Sequence, residues 1–262
     1  MNARLFIDPP APGSWNMAVD EALLLDAAEN GTASLRFYSW SEPTLSLGYF
    51  QRYSDREQHA ASRECALVRR QTGGGAILHD RELTYSLVLP ETHSFAKRSQ
   101  QLYATVHQTI IETLGGLSPS NAPAQSTAQL QLRETGTNLR ADEEPFLCFQ
   151  RKSPGDVIAH PTNPQQPPWK VLGSAQRRYR RAVLQHGSLL IERSPAAPEL
   201  PGLTDLTHSS VTTNDLIRAV RSRLEDALKM RCVETTLSTE LKSKAANLAN
   251  TKYGSAAWTK RR

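Results

Sequence analysis

Apolar residues along the chain recur with two periods, and the changes of period mark out the elements. Residues Arg4 to Asp8 predict a short strand, closed by Pro9, Pro10 and Pro12. Ser14 is placed as the N-cap of a helix to about Glu29, with Met17, Leu24, Leu25 and Ala28 on one face, and Asn30-Gly31 stops it. Strand patterns follow at Leu35 to Trp40 and Thr44 to Leu47, parted by Glu42-Pro43, and then at Ala66 to Arg69, Ala76 to His79 and Leu83 to Leu89. Leu102, Val106, Ile110 and Leu114 stand four apart, which predicts a helix from about Ser99 to Leu114 ended by Gly115-Gly116.

The segment Leu117 to Gln131, rich in Ser, Pro, Ala and Gln, reads as a surface loop. Strands resume at Phe146 to Phe149, Asp156 to Ala159, Lys170 to Ala175 and Ala182 to Leu190. His160 to Trp169 contains four prolines and reads as a loop beside Lys170. Leu216, Val220, Leu224 and Leu228 give Asn214 to Met230 one helical face, and a last helix is expected over Ser238 to Ala249. There is no internal repeat. Strands grouped in two batches, without regular strand–helix alternation, indicate an α+β fold.

Composition narrows the class. The 262 residues suffice for a sizeable core, and ordinary apolar and charged fractions indicate a globular chain. No apolar run approaches the roughly 18 residues of a membrane span, and the first residues lack the apolar stretch of an export signal. Cys65, Cys148 and Cys232 have no metal-ligand spacing, so free thiols in a reducing cytoplasm are expected. The net charge of +5 is uneven: from Arg218 to Arg262 eleven Lys or Arg face four Asp or Glu, a net of +7. Arg177, Arg178, Arg180 and Arg181 form a second basic group, expected at the mouth of the site because it follows the Lys170 block directly. No nucleic-acid motif accompanies these charges, which leaves a solvated face or an acidic protein partner.

Candidate chemistry is densest in Arg69-Arg70-Gln71-Thr72-Gly73-Gly74-Gly75-Ala76-Ile77-Leu78-His79-Asp80. Three glycines between strands let backbone N–H groups approach a ligand, and Arg70 could bind a carbonyl, carboxylate or phosphate; a tight hairpin is the plain alternative. His79 and Asp80, adjacent on a strand, point to opposite faces and cannot pair as base and orienter. Cys148, within Pro145-Phe146-Leu147-Cys148-Phe149, reads alone as an inert apolar thiol. Lys170 opens Lys170-Val171-Leu172-Gly173-Ser174-Ala175-Gln176, and a cation within about 4 Å would lower a thiol pKa from about 8.5 to near 7. His186, in Gln185-His186-Gly187-Ser188, reads equally as a ligand contact or a structural histidine.

Taken together and in this order, these blocks resemble the lipoate–protein ligase and octanoyltransferase superfamily. Asn16-Met17-Ala18-Val19-Asp20-Glu21, Leu35 to Trp40 and Pro43 to Gln51 extend the match, which runs from about residue 5 to 191. The resemblance implies a catalytic domain like that of lipoate and biotin ligases, with a mixed, largely antiparallel sheet and flanking helices. One octanoyltransferase branch carries a nucleophilic cysteine in a Cys-Phe pair upstream of the lysine block, and Cys148-Phe149 falls at that place. The cysteine would take an octanoyl group as a thioester and Lys170 would lower its pKa. The acceptor implied is the lysine of a lipoyl domain, as in glycine cleavage H protein or a 2-oxoacid dehydrogenase E2. The donor is acyl carrier protein or another lipoyl domain. Two departures stand out: 21 residues lie between Cys148 and Lys170, a long separation for that branch, and Gly75 is the ligase-like residue.

The reading is therefore one catalytic domain over residues 1–262, its core at about 3–195 and a basic helical part at about 212–262, acting as a monomer without cofactor or metal. Cys148 and Lys170 are the expected catalytic pair. Arg70, Gly73, Gly74, Gly75 and His79 are expected to line the acyl pocket, with N–H groups of Gly173, Ser174 and Ala175 as oxyanion donors. The alternatives are an ATP- and Mg-dependent lipoate ligase, for which only some 45 residues after Ile217 leave little room for an accessory domain, and a non-catalytic binder of acylated carriers.

Overall fold

The computed structural model of the chain describes residues 1–117, 128–134, 144–161, 163, 165–207 and 212–262. In chain order the elements are β1 (Asn2–Ile7), α1 (Gly13–Asn30), β2 (Ala33–Tyr38), β3 (Thr44–Leu47), β4 (Ala66–Arg69), β5 (Ile77–His79), β6 (Glu82–Pro90), α2 (Ser99–Leu117) and β7 (Gln129–Leu132). There follow β8 (Val157–His160), β9 (Trp169–Tyr179), β10 (Ala182–Leu190), α3 (Leu203–Thr207), α4 (Thr213–Ala227), β11 (Arg231–Glu234), α5 (Thr239–Leu248) and α6 (Ala256–Thr259). An eight-stranded sheet has the order β11-β1-β2-β6-β10-β9-β8-β7 and a second sheet the order β4-β3-β5. Pairing in the large sheet is antiparallel except at β1–β2 and β1–β11. The expected α+β fold with a mixed, largely antiparallel sheet is the one observed. Among the described residues no helix is long and apolar enough to cross a membrane.

Both faces of the large sheet are covered. Leu83, Tyr85, Leu87 and Leu89 of β6 pack with α2 and α4, through Leu102, Val106, Leu216 and Leu224. Val88 and Leu184 face the other way, against Leu23 and Leu24 of α1 and Leu241 of α5. A third cluster joins Leu45, Leu47 and Leu78 of the small sheet to Phe146, Leu147 and Phe149. Strands buried on both sides read as apolar runs, which is why the central strands were legible.

Several boundaries differ from expectation for identifiable reasons. α1 starts at Gly13 after Pro12, without a side-chain cap, so Ser14 is not its N-cap; it closes on Gly31 in the left-handed conformation (φ 69°). α2 runs through Gly115-Gly116 because Leu117 still packs on the core. Residues 118–127 of the expected surface loop lie outside the described residues, and its end forms the edge strand β7. Phe146 to Phe149 is not a strand: Leu147 makes a single bridge to Ala76, and a 3-10 turn follows over Cys148–Gln150. The Gly-rich segment is not a hairpin either, since β3 lies between β4 and β5.

A buried ionic knot fixes α1 to the sheet. Arg36 Nε donates to Asp8 (2.7 Å), Nη1 to Asp20 (2.9 Å) and Nη2 to Asn16 Oδ1 (3.0 Å), while Tyr38 donates to the other Asp20 oxygen (2.9 Å). His186 Nδ1 lies 3.1 Å from Asp20 and ties the knot to β10. Burial works against the Asp20 charge, but the His186 hydrogen bond and the Arg36 charge outweigh it and hold its pKa below the usual carboxylate range. Removing one partner of such a set strands the others in a dry interior. Arg36→Met should cost about 3–5 kcal/mol, read from urea midpoints. The depressed pKa of Asp20 implies stability fully present above the unfolded value of about 3.9 and lost as pH falls through the lower native value, so Asp20→Asn should flatten the acid limb of the stability curve.

Candidate active site

A cavity of about 330 Å3 opens between β6, β9 and β10 of the large sheet and the small sheet with its Gly-rich turn, at the low end of the roughly 300–1,000 Å3 typical of small-molecule sites. Met17, Tyr38, Ile77 and Phe149 supply apolar wall; Cys148 and Lys170 lie in the same wall. A second cavity of about 520 Å3, lined by residues including Ser99, Gln100, Pro154 and Gly155, shares Tyr103, Ser174, Ala175 and Gln176 with the first. Its lining contains no lysine or arginine.

The 21 intervening residues do not part the expected pair. Lys170 Nζ stands 3.6 Å from Cys148 Sγ and 3.5 Å from the Cys148 carbonyl oxygen. The Cys148 N–H donates to Ala76 O (2.7 Å), which pins the thiol beside the end of the Gly-rich turn. Lys170 is buried and paired with buried Asp156 at 2.8 Å. Burial opposes its charge, yet the Cys148 and Asp156 partners outweigh it and raise the lysine pKa, so the group is an ammonium across the physiological range. Gly173 makes room for this cation: a Cβ there would stand 2.4 Å from Lys170 Cε.

Asp156 is held in turn by Tyr103, whose hydroxyl donates to Oδ1 (2.8 Å), and by the Ser153 N–H on Oδ2 (2.7 Å). Tyr103 accepts from the Ser174 N–H (3.1 Å), so that N–H is not free to act as an oxyanion donor, contrary to expectation. Ser174 Oγ meets Tyr85 Oη (2.7 Å) and His107 Nε2 (2.6 Å). Burial pushes the His107 pKa down to about 4, leaving a neutral ring, and raises Tyr85 to about 12. The sequence reading missed Asp156, Tyr103, His107 and Tyr85.

Arg70 lies in the cavity wall, and its Nη1 and Nη2 donate to the carbonyls of Ser46 (2.8 Å), Gly73 (2.8 Å) and Gly75 (2.7 Å), while its buried Nε has no partner among the described residues. It therefore shapes the turn, and burial lowers its pKa to about 10. Gly73 and Gly74 line the cavity, and Gly74 adopts φ 97°, a conformation that favours glycine. Gly75 is not in the lining; a Cβ there would meet the Arg151 guanidinium at 2.8 Å. His79 stacks on Trp40 at 3.8 Å and pairs through Nδ1 with Glu82 (2.7 Å), not with Asp80, while burial keeps the ring neutral. His186 bridges Asp20 and Thr72 Oγ1 (2.8 Å) and also lines the cavity.

The arginine group after Lys170 does not form one rim. Arg178 donates across the α2 side to Ala96 O (2.5 Å) and Ser99 Oγ (2.6 Å). Arg180 and Arg181 make the turn at the far end of β9, and Arg177 alone faces Tyr49.

A partly apolar cavity with a thiol against a buried ammonium has the chemistry of a site that holds an acyl group at its carbonyl end. The chain belongs to the lipoyl protein ligase A/B catalytic domain family, which it matches over residues 12–198. It is 30% identical to the octanoyltransferase LipM of Bacillus anthracis, over 94% of this chain and 93% of that protein. With that of Geobacillus kaustophilus it shares 30% over 98% of each chain. Lipoate-protein ligase A bound with ATP superposes with a TM-score of 0.74 at 20% identity, covering 99% of both chains. The bi-partite lipoate protein ligase of Thermoplasma acidophilum, studied with its E2 lipoyl domain, gives 0.72 at 20% identity over 99% of this chain and 96% of that one. These two likenesses establish the shared fold.

The three thiols should differ in reactivity. Burial, then Glu225, pushes Cys232 up to about 11, and burial, then Asp80, raises Cys65. Iodoacetamide at pH 7.5 should therefore modify Cys148 first, as read by peptide mass. Lys170→Met should slow that reaction by about tenfold, because the cation beside the sulfur is gone.

Proposed function

We propose that this chain is an octanoyltransferase of protein lipoylation that carries the acyl group on Cys148 from a carrier-bound thioester to the lysine of a lipoyl domain. The observation that carries this reading is the 3.6 Å contact between the Lys170 ammonium and Cys148 Sγ in the wall of the cavity. Its support outside the geometry is the similarity along nearly the whole chain to octanoyltransferases.

The Cys148 thiolate adds to the donor carbonyl carbon; the carbon–sulfur bond to the carrier breaks and the carrier leaves as a thiolate that takes a proton from solvent. The neutral amine of the acceptor lysine then adds to the Cys148 thioester. The carbon–nitrogen bond forms, the carbon–sulfur bond to Cys148 breaks, the amine gives its proton to solvent, and the Cys148 thiolate returns to its place beside Lys170. Lys170, fixed by Asp156, stabilises negative charge on sulfur and oxygen in both steps without giving up its proton. Met17, Tyr38 and Phe149 cover the chain and keep water from the intermediate.

Mixing the protein with octanoyl-carrier thioester in the absence of ATP should add one octanoyl mass on Cys148. Cys148→Ala should abolish both the adduct and transfer, while Cys65→Ala and Cys232→Ala keep transfer within about twofold of wild type. Turnover by Cys148→Ala, or product only with ATP, would overturn the covalent reading.

A further inference from the structure

Most of the cationic side chains in the basic C-terminal part are dispersed. Arg218, Arg221 and Arg223 lie on α4, and Lys244 and Lys252 pair with Glu29 and Glu21 on α1. Residues 258–262 go elsewhere and are firmly anchored. Trp258 Nε1 donates to Arg69 O (2.7 Å), Arg69 Nε donates to Thr259 O (3.0 Å), and the Tyr53 N–H donates to Arg262 O (2.8 Å). This anchoring sets Arg261 and Arg262 beside Tyr49 and Phe50, with Lys260 Nζ 5.2 Å from the Tyr53 ring centroid. Arg261 lies 4.0 Å from the Tyr49 ring centroid, Arg262 5.5 Å from that of Phe50, and Arg177 of β9 reaches Tyr49 from the other side at 5.7 Å. Among the described residues none of these four cations makes an ion pair with a carboxylate. The acidity of the half-buried Tyr49 is raised by the Arg261 hydrogen bond and charge, and then by Arg177 and Lys252.

In the middle stands Phe50, 65% exposed, against Gly73: a Cβ on Gly73 would touch its ring at 3.8 Å. Gly73 and exposed Gly74 line the acyl cavity, so the aromatic side chain lies against a segment of the cavity wall. An exposed aromatic with one of these guanidinium groups on its ring and two more on the adjoining Tyr49 has the composition of an interface anchor: ring area for burial, cations for orientation.

We infer that Tyr49, Phe50, Arg177, Lys260, Arg261 and Arg262 form the docking surface for the acyl acceptor, a small domain with an acidic face that presents its target lysine at an exposed turn. The inference rests on the transferase reading above. The acceptor fits better than the donor because a lysine side chain is only four methylenes long. The domain that carries it must sit against the opening, whereas a donor with a long prosthetic arm can dock farther away. The unpaired cations require acidic partners, and Phe50 requires an apolar spot among them.

The test uses the unacylated lipoyl domain, titrated calorimetrically against wild type and variants, together with transfer from enzyme already octanoylated on Cys148 by a small thioester. Arg261→Glu with Arg262→Glu should weaken domain binding by about tenfold or more at low salt, the difference shrinking in high salt. Phe50→Ser should weaken it by about tenfold with little change in salt dependence. Transfer to the domain at limiting concentration should fall in parallel, while release of the octanoyl group to hydroxylamine keeps its rate. Arg218→Glu with Arg223→Glu, an equal charge change on α4, should alter neither. Unchanged domain affinity, an equal loss in the α4 variant, or parallel loss of the hydroxylamine reaction would each overturn the proposal. So would slower loading by a carrier-bound donor with domain affinity intact, which would give the surface to the donor. If wild type takes no acyl group yet domain affinity still depends on Phe50 and Arg261, the docking surface stands and the transferase reading fails.

Discussion

An ammonium ion buried in a protein needs a counter-charge within contact distance, and taking it from water costs several kcal/mol before any attraction offsets the loss. Lys170 meets this requirement through Asp156, and much of the local structure follows from that pair. Asp156 needs donors for its remaining lone pairs and finds them in Tyr103 and the Ser153 N–H. The lysine stem needs a path along β9 and finds it over Gly173, where any side chain would collide with it. The cation then keeps one further contact, with the carbonyl and sulfur of Cys148. A thiol placed there faces fixed positive charge without having to bind it each turnover, the preorganisation that makes such a site chemically useful.

The sequence disclosed the central strands well because their apolar runs and bounding turn residues agree, as at β10, whose ends fall where expected. It concealed elements whose pattern is set by an edge position. β7 reads Gln-Leu-Gln-Leu, and β11 is four residues with one buried side chain. The apolar run Phe146 to Phe149 looked like a strand because burial alone suggests one; its backbone meets only Ala76 and then turns. At the site, Cys148 and Lys170 were picked out by a resemblance, since an apolar cysteine and a strand-end lysine are unremarkable alone. Tyr103 and His107 escaped because, one turn apart on an amphipathic helix, they look like ordinary polar positions. Their partners Asp156 and Ser174 lie 53 and 67 residues away. One signal was readable: Asn16 and Asp20, four apart beside Met17, are polar residues on the buried side of α1, where a charge knot or a ligand is required.

Charge tells a similar story. A net of +7 over a stretch of sequence describes no surface until the chain is folded; here it divides between α4, the ion pairs to α1 and the anchored residues beside Phe50. The arginines after Lys170 divide likewise, because side chains on a strand alternate and Arg177 and Arg178 must leave on opposite faces.

The pairing of β1 with β11 imposes an order on biosynthesis. β1 is translated more than two hundred residues before its outer neighbour, which matches Asn2 to Arg231 in parallel register. Over that interval the nascent sheet ends in a strand whose outer amides lack partners, the kind of edge that recruits strands from other molecules. Ile7 at its end stays 44% exposed even in the finished fold. Protection of β1 until β11 is made therefore bears on yield separately from the stability of the completed protein.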